Sequence, residues 1–151
     1  ALPDSHRQAV TDSLTGLPNR RLFLDRAERA TAAARRDGER VGVMIIDLDR
    51  FKEVNDCFGH HLGDQLLKVA ARRLNAACGE EALLVRLSGD EFAAVQPDTS
   101  ETAATALARR LNQCMNAPVA LDTGRVFSSC SIGIARPSAR VQSIVVEGRA
   151  T

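Results

Sequence analysis

The chain has 151 residues, 44% hydrophobic and 26% charged, with a formal net charge of +1. These are the proportions of an ordinary soluble globular protein, long enough for one domain with a substantial core. With no Trp and no Tyr it lacks the stacking platforms and basic surface of a nucleic-acid binder; no apolar run reaches membrane-spanning length and no signal-peptide pattern is present, so direct membrane contact is not expected.

Residues 1–11 read as a lead-in linker. The chain opens at Ala1 without a methionine, so processing or excision from something longer is expected. Leu14 to Asn19 gathers Gly, Pro and Asn into an ordered turn. Phe23, Ala27, Ala30 and Ala34 recur at helical steps and predict a helix over 20–36, ended by Asp37-Gly38. Val41 to Ile46 is a continuous apolar run, the pattern of a strand buried on both faces. A short helical turn near Phe51 to Asn55, a break at Gly59 and a long helix over 61–77 follow, the last with Leu62, Leu66, Val69/Ala70 and Leu74 facing inward. Leu83 to Leu87 and Phe92 to Val95 are short strands around a hairpin. Pro97 to Ser100 starts another helix, in which Ala104, Leu107, Leu111 and Cys114 keep helical spacing. Alternation from Val126 to Ile134 predicts a last strand. The order fits an α/β (α+β) sandwich with a mixed, mostly antiparallel sheet flanked by helices.

Cys57, Cys78, Cys114 and Cys130 are widely spaced, without a Cys-x-x-Cys pair, which predicts free thiols in a reducing cytosol. His60 and His61, adjacent on a helix, point about 100° apart and would not readily share an ion.

The chemistry concentrates in three places. Ser88-Gly89-Asp90-Glu91 puts two carboxylates and a glycine at a hairpin tip. A solvated Gly-Asp turn is one explanation. The other is a phosphate approaching over the glycine, with a divalent cation relieving the repulsion between the acids. Asp47 ends the buried strand, so its carboxylate should emerge at the sheet's end and meet Asp90 if the two strands pair. Such an oxygen-rich site suits Mg²⁺, whose remaining ligands come from water and nucleotide phosphates. Lys52, one turn on, can supply positive charge for phosphates, although exposed lysines are usually only solvated. A plainer reading of 47–56 is a charged loop in which Asp49 or Asp56 caps a helix. Finally, Asp64 is either a first-turn acid favoured by the helix dipole or, with Asn55, a guanine reader. One carboxylate can accept both N1–H and N2–H of guanine, whereas adenine would leave it unpaired.

Asp12 to Arg21, Asp47 to Asp56, Phe58 to Asp64, Arg86 to Phe92 and Ser131 to Ala135 together resemble the diguanylate cyclase, or GGDEF, family over about residues 12–135, in order. The resemblance implies a palm-like, nucleotide-cyclase-like fold and the joining of two GTP molecules into cyclic di-GMP with release of pyrophosphate. It implies Mg²⁺ (or Mn²⁺) on Asp47, Asp90, Glu91 and the Leu48 carbonyl, with Glu91 assisting deprotonation of the ribose 3′-hydroxyl. Lys52 would bind phosphate, Asn55 and Asp64 would read guanine with Phe51 beside them, and Ser88-Gly89 would let phosphates lie close. Each protomer would hold one GTP, so a homodimer is implied, in the cytoplasm and within a larger multidomain protein. The alternative is a GTP-binding regulatory module without useful turnover, attached to a domain such as a cyclic di-GMP phosphodiesterase.

Three departures from the family pattern stand out. Ser88 replaces its first signature glycine. Gly79-Glu80-Glu81-Ala82 replaces the Arg-x-x-Asp of its product-inhibition site, so no feedback inhibition there is expected. Residues 136–151 carry neither the family's late helix nor a lysine, an atypical or truncated tail.

Overall fold

The computed structural model describes residues 10–38, 40–97, 100–137 and 141–146. Helix α1 (Arg20–Asp37) begins where the Asn19 side chain accepts from the amides of Arg21 and Leu22, at 3.0 and 3.3 Å. It ends at Gly38, whose left-handed backbone lets its N–H close on the Ala34 carbonyl. Strand β1 (Gly42–Leu48) leads through a tight turn into α2 (Phe51–Phe58) and then α3 (His60–Cys78). Strands β2 (Leu83–Ser88) and β3 (Glu91–Gln96) form the hairpin. Helix α4 (Glu101–Cys114) is capped by the Ser100 hydroxyl on the Ala103 amide. The small pair β4 (Val119–Leu121) and β5 (Gly124–Val126) precedes β6 (Cys130–Pro137) and β7 (Val141–Val146).

Five strands pair in the order β2-β3-β1-β6-β7, every neighbouring pair antiparallel. Period-two alternation sorts β1 onto two faces. Met44, Ile46 and Leu48 join Phe92, Ala94, Ile132 and Ile134 in the main core beneath α3 and α4. Val43 and Val95 pack on the other face against Phe23, Ala27, Ala30 and Ala34 of α1. This second face is thinly covered: Val43 and Ile45 are only half-buried and Asp47 is exposed. The expectation of a strand buried on both faces holds on the core side and only in part on the other, because α1 shields only one end of it.

The expected architecture of an antiparallel sheet flanked by helices is present. Three strands, β4, β5 and β7, escaped the sequence reading. The β4–β5 pair has strands of three residues each, too short for a visible alternation. Consequently the last predicted strand starts at Cys130, not Val126, with 127–129 outside any strand. In the tail, the backbone of 141–146 forms β7 on β6; the expected lead-in at 1–9 and the ends of the tail at 138–140 and 147–151 lie outside the described residues. No described helix is long and apolar enough to cross a membrane.

Candidate active site

Pairing of β1 with β3 places Asp47 directly opposite Glu91. Residues 43, 45 and 47 of β1 share a face, as do 91, 93 and 95 of β3, so both carboxylates project from the thinly covered side of the sheet. The Leu48 amide donates to the Asp90 carbonyl at 3.1 Å, fastening the hairpin turn to the end of β1. Partial burial, then the negative charges of Glu91, Asp90 and Asp49, hold the Asp47 carboxyl above its ordinary range. A divalent cation would relieve that repulsion.

Among the described residues no three acidic, histidine or cysteine side chains stand together at ligand spacing. At the rim itself the side chains that could face an ion are the paired carboxylates of Asp47 and Glu91. A site with so few protein ligands would fit magnesium, which keeps several waters and takes phosphate oxygens.

The hairpin tip owes its shape to Gly89, whose φ of 43° lies in the left-handed region. Ser88, by contrast, remains in β2 opposite Glu91 and has no positive φ. The backbone therefore accepts serine where the family pattern has glycine. A register shift between Arg86 and Ser88 bulges the strand next to the tip, a device that re-aims neighbouring side chains.

Across α2 and α3, Asn55 lies over Gly63. A Cβ on Gly63 would collide with Asn55 Oδ1 and come within 2.9 Å of its Cγ, so the glycine is what admits the asparagine. The same Oδ1 is buried without a hydrogen-bond partner, an orphaned acceptor of the kind a ligand satisfies. Asp64 follows Gly63 and is exposed. Because α3 starts at His60, Asp64 falls beyond the first turn, which contains no acid, and the helix-dipole explanation loses its basis. Lys52 is exposed on α2. Phe51 is half-buried and packs against both the main core and the small cluster of Val54, Leu66 and Val119.

The capping explanation of the 47–56 acids is corrected. The residue capping α2 is Arg50, with no side-chain cap bond, and Asp56 lies inside the helix. Asp49 instead accepts the hydroxyls of Ser129 and Ser131 at 2.7 and 2.8 Å.

Sequence reasoning passed over Arg86 and Asp12 as functional groups. Arg86 Nη1 meets both Asp12 oxygens at 3.1 and 3.2 Å, while its Nε and Nη2 donate to the Gly89 carbonyl at 3.1 and 2.9 Å. The Arg86 amide also donates to the Pro18 carbonyl. One guanidinium thus ties the turn at 12–19 to the hairpin tip. Burial works against the Asp12 charge, but bonds from the Thr15 hydroxyl and amide and from Arg86 overcome it and lower its pKa. The signal available was the presence of an arginine two residues before Ser88 and an isolated acid before a Thr-Gly turn; neither reveals a partner 74 positions away.

A cavity of about 550 Å³ runs beside this lash, lined by Asp12, Arg20, Arg21, Ser88 and Gly89 among others. Another of about 570 Å³ lies between α1 and the turn at 80–82. Neither contains Asp47, Asn55 or Asp64; the carboxylates stand on an open rim.

Residues 9–145 match the family model "Diguanylate cyclase, GGDEF domain", and the chain belongs to that family. It is 44% identical over 130 residues to the diguanylate cyclase TpbB of Pseudomonas aeruginosa, covering 85% of this chain and 30% of that protein. It is 41% identical over 127 residues to the cyclic di-GMP phosphodiesterase PdeR of Escherichia coli, covering 84% of this chain and 19% of that protein. A structure comprising only the GGDEF domain of TpbB superposes with a TM-score of 0.80 at 43% identity, over 83% of this chain and 74% of that one. The chain thus spans less than a third of the length of either curated relative.

Proposed function

We propose that this chain is a diguanylate cyclase domain that condenses two GTP molecules into cyclic di-GMP, acting as a homodimer with Mg²⁺ or Mn²⁺ in the cytoplasm. The observation that carries the reading is the pairing of Asp47 with Glu91 at the sheet rim, with Asp90 held beside Leu48. The 151 residues are read as one domain of this type, with 1–11 as lead-in and 136–151 as an atypical tail of a larger signalling protein.

Asp47, Asp90, Glu91 and the Leu48 carbonyl would hold the metal. When bound, it would acidify the ribose 3′-hydroxyl and neutralise charge at the α-phosphate. Glu91 takes the 3′-hydroxyl proton as the oxygen attacks the facing nucleotide's α-phosphorus. The bond to the β-phosphate breaks and pyrophosphate leaves. Repeating the step in the opposite direction closes the ring. Lys52 neutralises phosphate charge, and Ser88-Gly89 lets the phosphates approach the hairpin. Asn55 and Asp64, with Phe51 beside them, select guanine; Asn55's unpartnered oxygen supports that assignment. Because each protomer binds one GTP, dimerisation supplies the proximity on which the rate depends.

A second reading, a GTP-binding module that regulates an attached phosphodiesterase, draws support from the similarity to PdeR and from the lysine-free tail. Incubation with GTP and Mg²⁺, following cyclic di-GMP and pyrophosphate, separates the two. Product that vanishes in Asp90→Asn supports the cyclase. Tight GTP binding without product, even when dimerisation is forced, supports the module.

A further inference from the structure

Asp49 lies two residues beyond Asp47, in the turn that follows β1, and belongs to no role assigned above. Both of its carboxylate oxygens are engaged: Oδ2 accepts the Ser129 hydroxyl at 2.7 Å and Oδ1 the Ser131 hydroxyl at 2.8 Å. Its amide donates to the Ser129 carbonyl at 2.9 Å. These partners belong to β6 and the residue before it. In the strand order β3-β1-β6 that is the side of β1 opposite Glu91. Ser131 is moreover the register partner of Asp47 on that side, as Glu91 is on the other.

The next residue, Arg50, is the only non-glycine with positive φ among the described residues, at φ 63° and ψ 14°. A side chain in that conformation is strained and persists where its surroundings over-determine it. The turn it makes redirects the chain from the carboxylate rim into α2, which carries Lys52 and Asn55. The Asp49 clamp sits immediately before this turn.

We infer that Asp49 is a positioning residue, drawn by Ser129 and Ser131 out of the set of oxygens that hold the metal, and that this two-hydroxyl clamp fixes the end of β1 and the strained turn relative to α2. The inference rests on the cyclase reading of the rim. It explains why a third acid so near Asp47 and Glu91 does not join them. The two hydroxyl bonds, at 2.7 and 2.8 Å, are to an ionisable carboxylate, and bonds to an ionised acceptor are roughly twice as strong as neutral ones. Groups that orient metal ligands typically change metal affinity 10–100-fold, as an order of magnitude, when removed.

The test compares the wild-type chain with Ser129→Ala/Ser131→Ala, Ser131→Thr and Asp49→Asn. Mn²⁺ binding is read by electron paramagnetic resonance without nucleotide, and exchange of the 49–51 amides by hydrogen–deuterium exchange. The double alanine variant is expected to bind Mn²⁺ about tenfold more weakly and to exchange these amides at least tenfold faster, with α3 protection unchanged. Ser131→Thr, which keeps the hydroxyl, should stay within about twofold of wild type. Should the double variant match wild type in both measurements, the clamp has no positioning role. If Asp49→Asn abolishes Mn²⁺ binding while the double variant binds as wild type does, Asp49 is a ligand and the inference is overturned. A wild-type chain that binds no Mn²⁺ would sink the rim reading, and this inference with it.

Discussion

Gly63 and Asn55 are a case in which two unremarkable residues make one feature. The glycine has an ordinary helical backbone, so its value is the missing Cβ. In Gly63→Ala the atom that must move is the end of the Asn55 side chain rather than the main chain. Alanine also gains about 1 kcal/mol of helix propensity over glycine. Near-unchanged thermal stability is therefore expected together with at least a tenfold loss of GTP affinity, measurable by calorimetry beside a melting curve. Asp47 shows the opposite balance. A carboxyl whose folded pKa is raised favours the protonated chain, so its contribution declines as pH rises from the unfolded value of 3.8 through the folded one. At neutral pH without metal the ionised group opposes folding. Asp47→Asn is thus expected to raise the melting temperature of the metal-free chain by about 2 °C while removing the melting shift that Mg²⁺ and GTP give the wild type.

Among the elements, the hairpin is positioned less by its own turn than by the lash through Arg86. With side chains only 14% and 19% exposed, Arg86 and Asp12 form a largely buried pair, and truncating one partner strands the other. Arg86→Ala also leaves the Gly89 carbonyl without its two donors. A loss of about 2–3 kcal/mol is expected, seen as a melting temperature lower by about 5–10 °C. The pH dependence has a definite sign. Asp12 has a lowered folded pKa, so its stabilisation is fully present above 3.8 and is lost as pH falls through the folded value. Acid titration of Asp12→Asn should therefore show a shallower loss of stability below pH 3.8 than the wild type.

Regulation belongs to the scale of the whole molecule. Where the family pattern has its product-binding Arg-x-x-Asp, the turn supplies Glu81, and its carboxylate takes the Arg110 guanidinium at 2.9 Å. An arginine so engaged, beside a negative charge, is a poor receptor for a dianionic cyclic dinucleotide. Progress curves are expected to show no slowing by accumulated cyclic di-GMP beyond substrate depletion, and added product should leave the initial rate unchanged. On the proposed cyclase reading, two nucleotide-loaded copies would have to face each other. Fusion to a parallel coiled coil should accordingly raise the rate at low protein concentration by about 10–100-fold through effective concentration, without altering GTP affinity per protomer.

Much of this molecule is written in local pattern. The spacing of Phe23, Ala27, Ala30 and Ala34, the stripe from Leu62 to Leu74 and the apolar run of β1 specify elements whose burial follows from periodicity alone. Asp47 after an apolar run and Asp90-Glu91 at a hairpin tip likewise announce acids at a rim, because a charge that breaks a buried run marks where burial ends. Pairing partners carry no such local mark. That Asp47 faces Glu91 on one side and Ser131 on the other, that Asp49 binds two serines 80 and 82 positions away, and that Arg86 reaches back to Asp12 are consequences of strand order. The three-residue strands β4 and β5, and β7 in the tail, were invisible for a related reason: short or weakly patterned segments become strands only when a neighbour offers its hydrogen bonds. Periodicity fixes which side of an element is wet or dry, while long-range contacts between polar groups depend on how separately specified elements are brought together, and only the folded chain does that.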